Sequence, residues 1–391
     1  MADAVPVRVD VAILGGGIAG LWLLARLEKA GYSALLLESR SLGAGQTLAS
    51  QGIIHGGLKY ALDLKLGQDS QALADMPQRW RACLNGGGEI DLRAAKIAAE
   101  RHLFWARRTL ASRIGSFFGS KLLHGRVDAL PAGQWPDALR DPDRVGAVYA
   151  LDEMVLDVPS LLRTLAQPRW QRIKKIAPDF RIAEDGLTVQ GDDGRVYGIQ
   201  AQAMIATAGA GNETVLAQLK QPPASAQRRP LHMLLVEHAP APLWAHCFDA
   251  GDKPRVTITT HRRQDGVLVW YVGGLIAENG VRQGEAELIA AARQEFATLL
   301  PKLDLSRCRF AGHRVDRAEG ATEDGRKPEG PVLKRIGHLR VAWPTKLALA
   351  PQLADMALAD LPPPSGRAAA VPAEWAAPGF ALPPWESASW K

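Results

Sequence analysis

The chain has 391 residues, 47% of them hydrophobic and 23% charged. That is enough to bury one large core or two smaller ones, and too apolar for a disordered or fibrous chain. Its 47 lysines and arginines exceed its 41 acids by a formal +6, an excess that suits an anionic ligand or a loose hold on an acidic surface and compels neither.

Residues 1–10 carry acids and a proline and no apolar run, so no signal peptide is expected. Nowhere do about 18 uncharged apolar residues run together, so no transmembrane helix is expected either. Cys83, Cys247 and Cys308 are scattered and include no C-x-x-C, which argues against a disulfide framework and a zinc site. A reducing, cytoplasmic setting and no bound metal are the expectation.

Asp10 to Leu14 predicts a short buried strand, Leu21 to Ala30 a helix stopped at Gly31, and Ser33 to Leu37 a second strand ending at Glu38. Gly15-Gly16-Gly17-Ile18-Ala19-Gly20 joins the first strand to the helix as G-x-G-x-x-G. Gly15 makes the tight turn, Gly17 lets backbone approach a pyrophosphate, and Gly20 lets helix and strand pack closely. The helix N-terminus offers free N–H groups and a partial positive charge to phosphates. Glu38 can accept hydrogen bonds from an adenosine ribose, which favours FAD or NAD over NADP.

A long run of small residues follows, Ser39 to Ile54, and then His55-Gly56-Gly57-Leu58-Lys59-Tyr60. This segment resembles the loop with which the D-amino-acid oxidase superfamily of flavoproteins passes FAD, and H-G-G-L-K-Y is closest to aerobic glycerol-3-phosphate dehydrogenases. Later segments resemble that superfamily in its own order: 147–165, Ala203 to Asn212, Arg228 to Val236, Val269 to Gly274, Ala311-Gly312-His313-Arg314, and Pro344-Thr345-Lys346-Leu347 opening a helix to Ala359. The chain departs from the pattern in two places. Ala342-Trp343-Pro344-Thr345 stands where a glycine-rich loop is usual, and Gly273-Gly274-Leu275-Ile276 replaces Gly-Thr-Thr-Asp. Glycerol 3-phosphate itself is therefore not the expected substrate.

The resemblance implies an α/β fold in which a Rossmann-like FAD-binding domain with a parallel sheet interleaves with a substrate domain built on a mixed or antiparallel sheet. Residues 1–62, 145–226 and 309–361 would form the first, residues 63–144 and 227–308 the second. It implies FAD contacts from Gly15, Gly17, Ile18, Ala19, Gly20, Glu38, Ser39, Arg40, Thr47, Ser50 and His55. Further contacts would come from Ala208, Gly209, Thr345, Lys346 and Leu347. On the substrate side it implies Lys59, Tyr60, Arg314 and Lys346, with Arg314 gripping a carboxylate or phosphate. His232 is the expected base and His55 the expected flavin neighbour, each weighed against a structural core histidine.

Three further features complete the reading. Gln264-Asp265-Gly266 predicts a hairpin, and Glu285 to Leu300 a helix. Residues 101–126 hold six basic residues, no acid, and interleaved aromatics. They read either as a basic amphipathic helix on an anionic membrane, suiting electron transfer to quinone, or as a helix with a solvated basic face. A nucleic-acid surface is the weakest reading, since no RNA-binding motif accompanies them. Residues 362–391, rich in proline and with Trp375, Trp385 and Trp390, read as a tail outside the fold that docks on its own surface or on a partner.

The leading functional expectation is an FAD-dependent oxidoreductase that oxidises a CH–OH or CH–NH group of a small anionic substrate by hydride transfer to flavin N5, with oxygen or quinone as acceptor. An FAD-binding assembly protein without turnover, and a flavoenzyme acting on RNA, are the alternatives.

Overall fold

The structure, a computed structural model, describes residues 4–57, 73–108, 126–141, 143–222, 225–248, 253–328 and 330–391. Strands β1 (Val5–Leu14) and β2 (Ala34–Glu38) pair in parallel, with the helix Ile18–Lys29 as their crossover. Both strands are buried almost throughout, as expected of parallel strands covered on two faces. On its other edge β1 pairs in parallel with β10 (Val196–Ala206), and β10 in turn with β17 (Leu339–Trp343). β16 (Val332–Ile336) closes that edge antiparallel to β17. β8 (Ile173–Ala183) follows β2 in parallel, then bends into an antiparallel meander through β9 (Gly186–Gly191) back to β10.

The crossover helix is buried on most of its circumference because two further helices, Met76–Leu84 and Ala350–Ala359, lie against it. Trp22 meets Trp80 there with ring centroids 4.5 Å apart. Arg26 and Arg79 share Glu89 and Asp355 across the same seam.

A second sheet of eight strands adjoins the first. Its order is β15 (Arg309–Gly320), β11 (Ala226–Glu237), β14 (Leu268–Gly273), β13 (Val256–Arg262), β12 (Ala245–Phe248), β4 (His102–Arg107), β6 (Val145–Leu151) and β5 (Val127–Ala129). Every pairing is antiparallel except β12 with β4. A small ladder of β3 (Ile97–Ala99) and β7 (Val155–Leu156) stands beside the two sheets. The β13–β14 hairpin turns at the expected place, with Gly266 at φ +88°. One face of the second sheet packs on the helix Glu285–Leu299 through Leu234, Val236, Trp270 and Phe310. The other face, carrying Met233, Leu235, Tyr271 and Ala311, turns toward the first sheet.

Two expectations about organisation meet a different outcome. β6 and β15, grouped from sequence with the dinucleotide-binding segments, run in the second sheet. Residues 102–107 are a strand rather than the start of an amphipathic helix, with His102, Phe104 and Trp105 buried. Spacing misled here because aromatic and basic residues alternate over so few positions that helix and strand periods are hard to separate. Residues 109–125, with the rest of that basic stretch, lie outside the described residues. The tail docks on the chain's own surface, one of the two placements expected of it: Trp375 stacks on Tyr197 at 3.8 Å, and Trp385 stacks on His261 at 3.8 Å. No helix among the described residues is long and apolar enough to cross a membrane.

Candidate functional site

A cavity of about 890 Å³ opens between the two sheets. Its floor is the turn from β1 into the first helix. Gly15 adopts φ +105°, and a Cβ there would stand 2.6 Å from the Cα of Ala208. A Cβ on Gly20 would stand 2.0 Å from the carbonyl oxygen of Gly15, so the helix can approach this turn only with glycine at both positions. Gly20 itself lies behind the cavity, whereas Gly15, Gly17, Ile18 and Ala19 line it.

The wall continues beyond the turn from the end of β2. Glu38 closes β2 and accepts from the N–H of Gly16 at 2.7 Å and of Arg40 at 2.6 Å. Thr47 reaches back to accept from Ile18 N–H at 3.0 Å, which ties the small-residue loop to the helix N-terminus. Ser50 donates to the Thr47 carbonyl. Ser39, Arg40, Thr47, Ser50 and His55 all line the cavity, as do Ala208 and Gly209 after β10. Thr345, Lys346 and Leu347 line it after β17, with Thr345 at φ +63° and its hydroxyl on the Gly330 carbonyl.

The substrate-side residues are less well placed by sequence. Lys59 and Tyr60 lie outside the described residues. His232 is buried on the face of β11 away from the cavity, its Nδ1 3.1 Å from the Gly280 carbonyl oxygen. Arg314 faces the same way and donates to the carbonyls of Val281 at 3.0 Å and Gln283 at 2.6 Å. Neither is part of the cavity wall, so neither the expected base nor the expected anion grip stands. At this level of the ladder strand alternation is the cause, since Leu231, Met233 and Val315, one place away, line the cavity; farther along, Arg228, Asp316, Arg317 and Ala318 line it too. Arg317 hydrogen-bonds through Nε to the Arg229 carbonyl at 3.2 Å.

Two imidazoles do reach the cavity. His55 and His246 stand with ring centroids 6.1 Å apart. Behind them lies Glu153, 1% exposed, which contacts Nδ1 of His55 at 3.2 Å and accepts from Gly56 N–H at 2.9 Å. Burial pushes the Glu153 carboxyl up, but the hydrogen bond and charge of His55, the charge of His102 and the Gly56 N–H outweigh it and hold the group down to about 2. His246 Nδ1 is 2.8 Å from the hydroxyl of Thr257. Gln51 spans the gap between the sheets, donating to the carbonyls of Thr257 and Tyr271 at 2.9 Å each. Sequence reasoning missed Glu153 and His246. Glu153 lies within the segment 147–165 at a position to which the resemblance gives no role, and no local pattern in the sequence marks β12 as a strand.

The lining is basic: Arg40, Arg228, Arg229, Lys253, Arg317, Lys327 and Lys346 face Glu38, Glu278 and Asp316. Some of that charge is already matched, since Arg228 pairs with Glu213 and Asp316, and Lys253 with Glu278.

The family model for FAD-dependent oxidoreductases of the DAO type matches residues 10–342. The chain belongs to the DAO family of FAD-dependent oxidoreductases. A probable FAD-dependent oxidoreductase, PA4991, from Pseudomonas aeruginosa is 48% identical over 97% of this chain and 98% of its own length. The crystal structure of PA4991 superposes with a TM-score of 0.82 at 43% identity, covering 98% of this chain and 99% of that one. The fold is shared more distantly with the FAD-bound L-α-glycerophosphate oxidase of Mycoplasma pneumoniae, with TM-score 0.64, 13% identity, 96% of this chain and 99% of that one. The aerobic glycerol-3-phosphate dehydrogenase of Escherichia coli matches over 66 residues only, 38% identical, or 17% of this chain and 13% of that enzyme.

The DAO-family cofactor is FAD, and the cavity floor fits it. The turn at Gly15 and Gly17 leaves the backbone bare where a pyrophosphate needs close approach, and the N-terminus of the following helix points at the same place. Glu38 at the end of β2 lies where a ribose would be met.

Proposed function

We propose that this DAO-family oxidoreductase oxidises a CH–OH or CH–NH group of a small anionic molecule. The observation that carries this reading is the basic lining described above, gathered from both sheets around a cavity that continues past the nucleotide floor to Leu231, Met233, His246 and Thr257. A pyrophosphate accounts for positive charge near the floor; Arg317, on the second sheet beside the Arg229–Glu319 pair, is where a carboxylate or phosphate of the substrate is held. Leu231, Met233 and Val315 form an apolar wall beside them that positions a short carbon skeleton and excludes water. Lys346 brings a fixed positive charge to the other side of the cavity, where negative charge develops during oxidation. Bound FAD supplies the two-electron acceptor for the substrate hydride, with oxygen or a quinone as the terminal acceptor. The alternatives of an inert assembly protein and of an RNA-directed enzyme are not favoured by a 48% identical relative that is named a probable FAD-dependent oxidoreductase.

The test is an anaerobic visible spectrum of the purified holoprotein titrated with hydroxy acids, phosphorylated polyols and amino acids. Bleaching of the flavin band by one class supports the reading and names the class. A yellow protein that no member of the panel bleaches overturns it.

A further inference from the structure

At the cavity wall, and just behind it, stands a compact set of metal-ligating side chains, one of which, His55, is also an expected FAD neighbour. His55, Glu153 and His246 each offer one ligand atom, and these atoms all lie within 4.8 Å of one another. The three come from separate parts of the chain: the loop after β2, the connection between β6 and β7, and strand β12. We propose that His55, Glu153 and His246 form a binding site for a divalent transition-metal ion of the zinc class, at the far end of the cavity.

The donor set is the first argument. Two imidazoles and one carboxylate are a recurrent zinc set, and when only three protein ligands are present the fourth position stays open to water or another small ligand. Here that position faces the cavity, since His55 and His246 both line it. The second argument is charge. Glu153 is 1% exposed, and a carboxylate taken out of water is costly unless a cation neutralises it. In the structure the ring of His55 lies against it at 3.2 Å, and a divalent ion held between the two would supply the missing charge. The third is orientation. Thr257 holds one ring nitrogen of His246 at 2.8 Å, which fixes the ring and turns the other nitrogen elsewhere, as groups behind a metal-bound histidine do. Gly56 N–H fixes Glu153 in the same way.

The geometry asks for little movement. His55 Nδ1 and Glu153 are already 3.2 Å apart, close to the spacing of two ligands on one ion. With metal–ligand bonds of about 2.0–2.2 Å in a tetrahedral arrangement, no separation in the set would have to close by more than about 1.4 Å. A bound ion would join the loop of the first sheet to a strand of the second, and it would occupy one end of the cavity.

Zinc titration of the untagged, chelator-treated holoprotein by calorimetry tests the site without any need for turnover or a known substrate. One zinc per chain is expected, with binding weakened at least roughly tenfold in both Glu153→Gln and His246→Gln and unchanged in His232→Gln, whose imidazole lies on the far face of the sheet. Flavin content serves as the check that each variant is folded, and either of the first two variants suffices if the other does not fold. Absence of saturable binding by the parent protein overturns the site, as does binding that survives both variants.

Discussion

His232 and Arg314 stand directly opposite one another across the β11–β15 ladder, and both turn away from the cavity. Opposed residues of an antiparallel pair share a face, so moving one of them to the substrate side would move both. Arg314→Ala is therefore expected to leave KM within about twofold of the parent and to show its effect in stability, through loss of the contacts to Val281 and Gln283. Arg317→Ala is expected to raise KM by on the order of tenfold or more, because a charge-assisted hydrogen bond is worth about 1.5–3 kcal/mol. Steady-state kinetics on the two variants decides the matter; the reverse ordering would return Arg314 to the site.

Gly15 offers a sharper test of the cofactor floor. Its φ of +105° and the 2.6 Å approach of Ala208 to any Cβ leave no room for a side chain. Gly15→Val should purify colourless and take up no added FAD. Retention of a normal flavin band in that variant is incompatible with the turn described.

Trp375 is fully buried, stacked on Tyr197, and donates its indole N–H to the Lys175 carbonyl at 2.7 Å. Removing such a ring leaves both a void and an orphaned carbonyl. Trp375→Ala should lower stability by about 3–5 kcal/mol, read as a shift in the denaturant midpoint. A shift below about 1 kcal/mol would show that the tail is dispensable to the fold.

The last turn of the tail is pinned by a carboxylate. Glu285 accepts from Gly312 N–H and pairs with the ammonium of Lys391, and the hydrogen bond to Lys391 holds its carboxyl below the ordinary glutamate value. A carboxyl lowered in the folded state stabilises above its unfolded value and loses that contribution as pH falls through the folded one. The tail end should therefore loosen below about pH 4.3, the unfolded glutamate value, and not between there and neutrality. Proteolysis near residue 391 followed across pH measures this, and Glu285→Gln should be equally susceptible at all pH values.

The dinucleotide unit was readable because every signal in it is local: strand, glycines, helix and acid succeed one another within residues 10–38, and each has a backbone reason. The assembly of the far end was not. Which face of β11 and β15 meets the cavity depends on pairing between strands about eighty residues apart, and a shift of one place reverses the answer. The motif points to Arg314, whereas the register brings Arg317 to the cavity wall. Glu153 and His246 were hidden for a related reason, since nothing near either in the chain announces that they meet.

The tail has a mechanical meaning for the whole molecule. It leaves the last long helix, passes Asp10 at Ser365, seats Trp375 beside β8–β10, and exchanges backbone hydrogen bonds with Leu42. It then crosses to the second sheet, stacks Trp385 on His261 and joins Phe310 through Lys391. A swing of one sheet away from the other must either carry half of this belt along or peel a tryptophan from its ring partner. The length of chain between Trp375 and Trp385, only ten positions, thus sets how far the two lobes can part while both anchors hold.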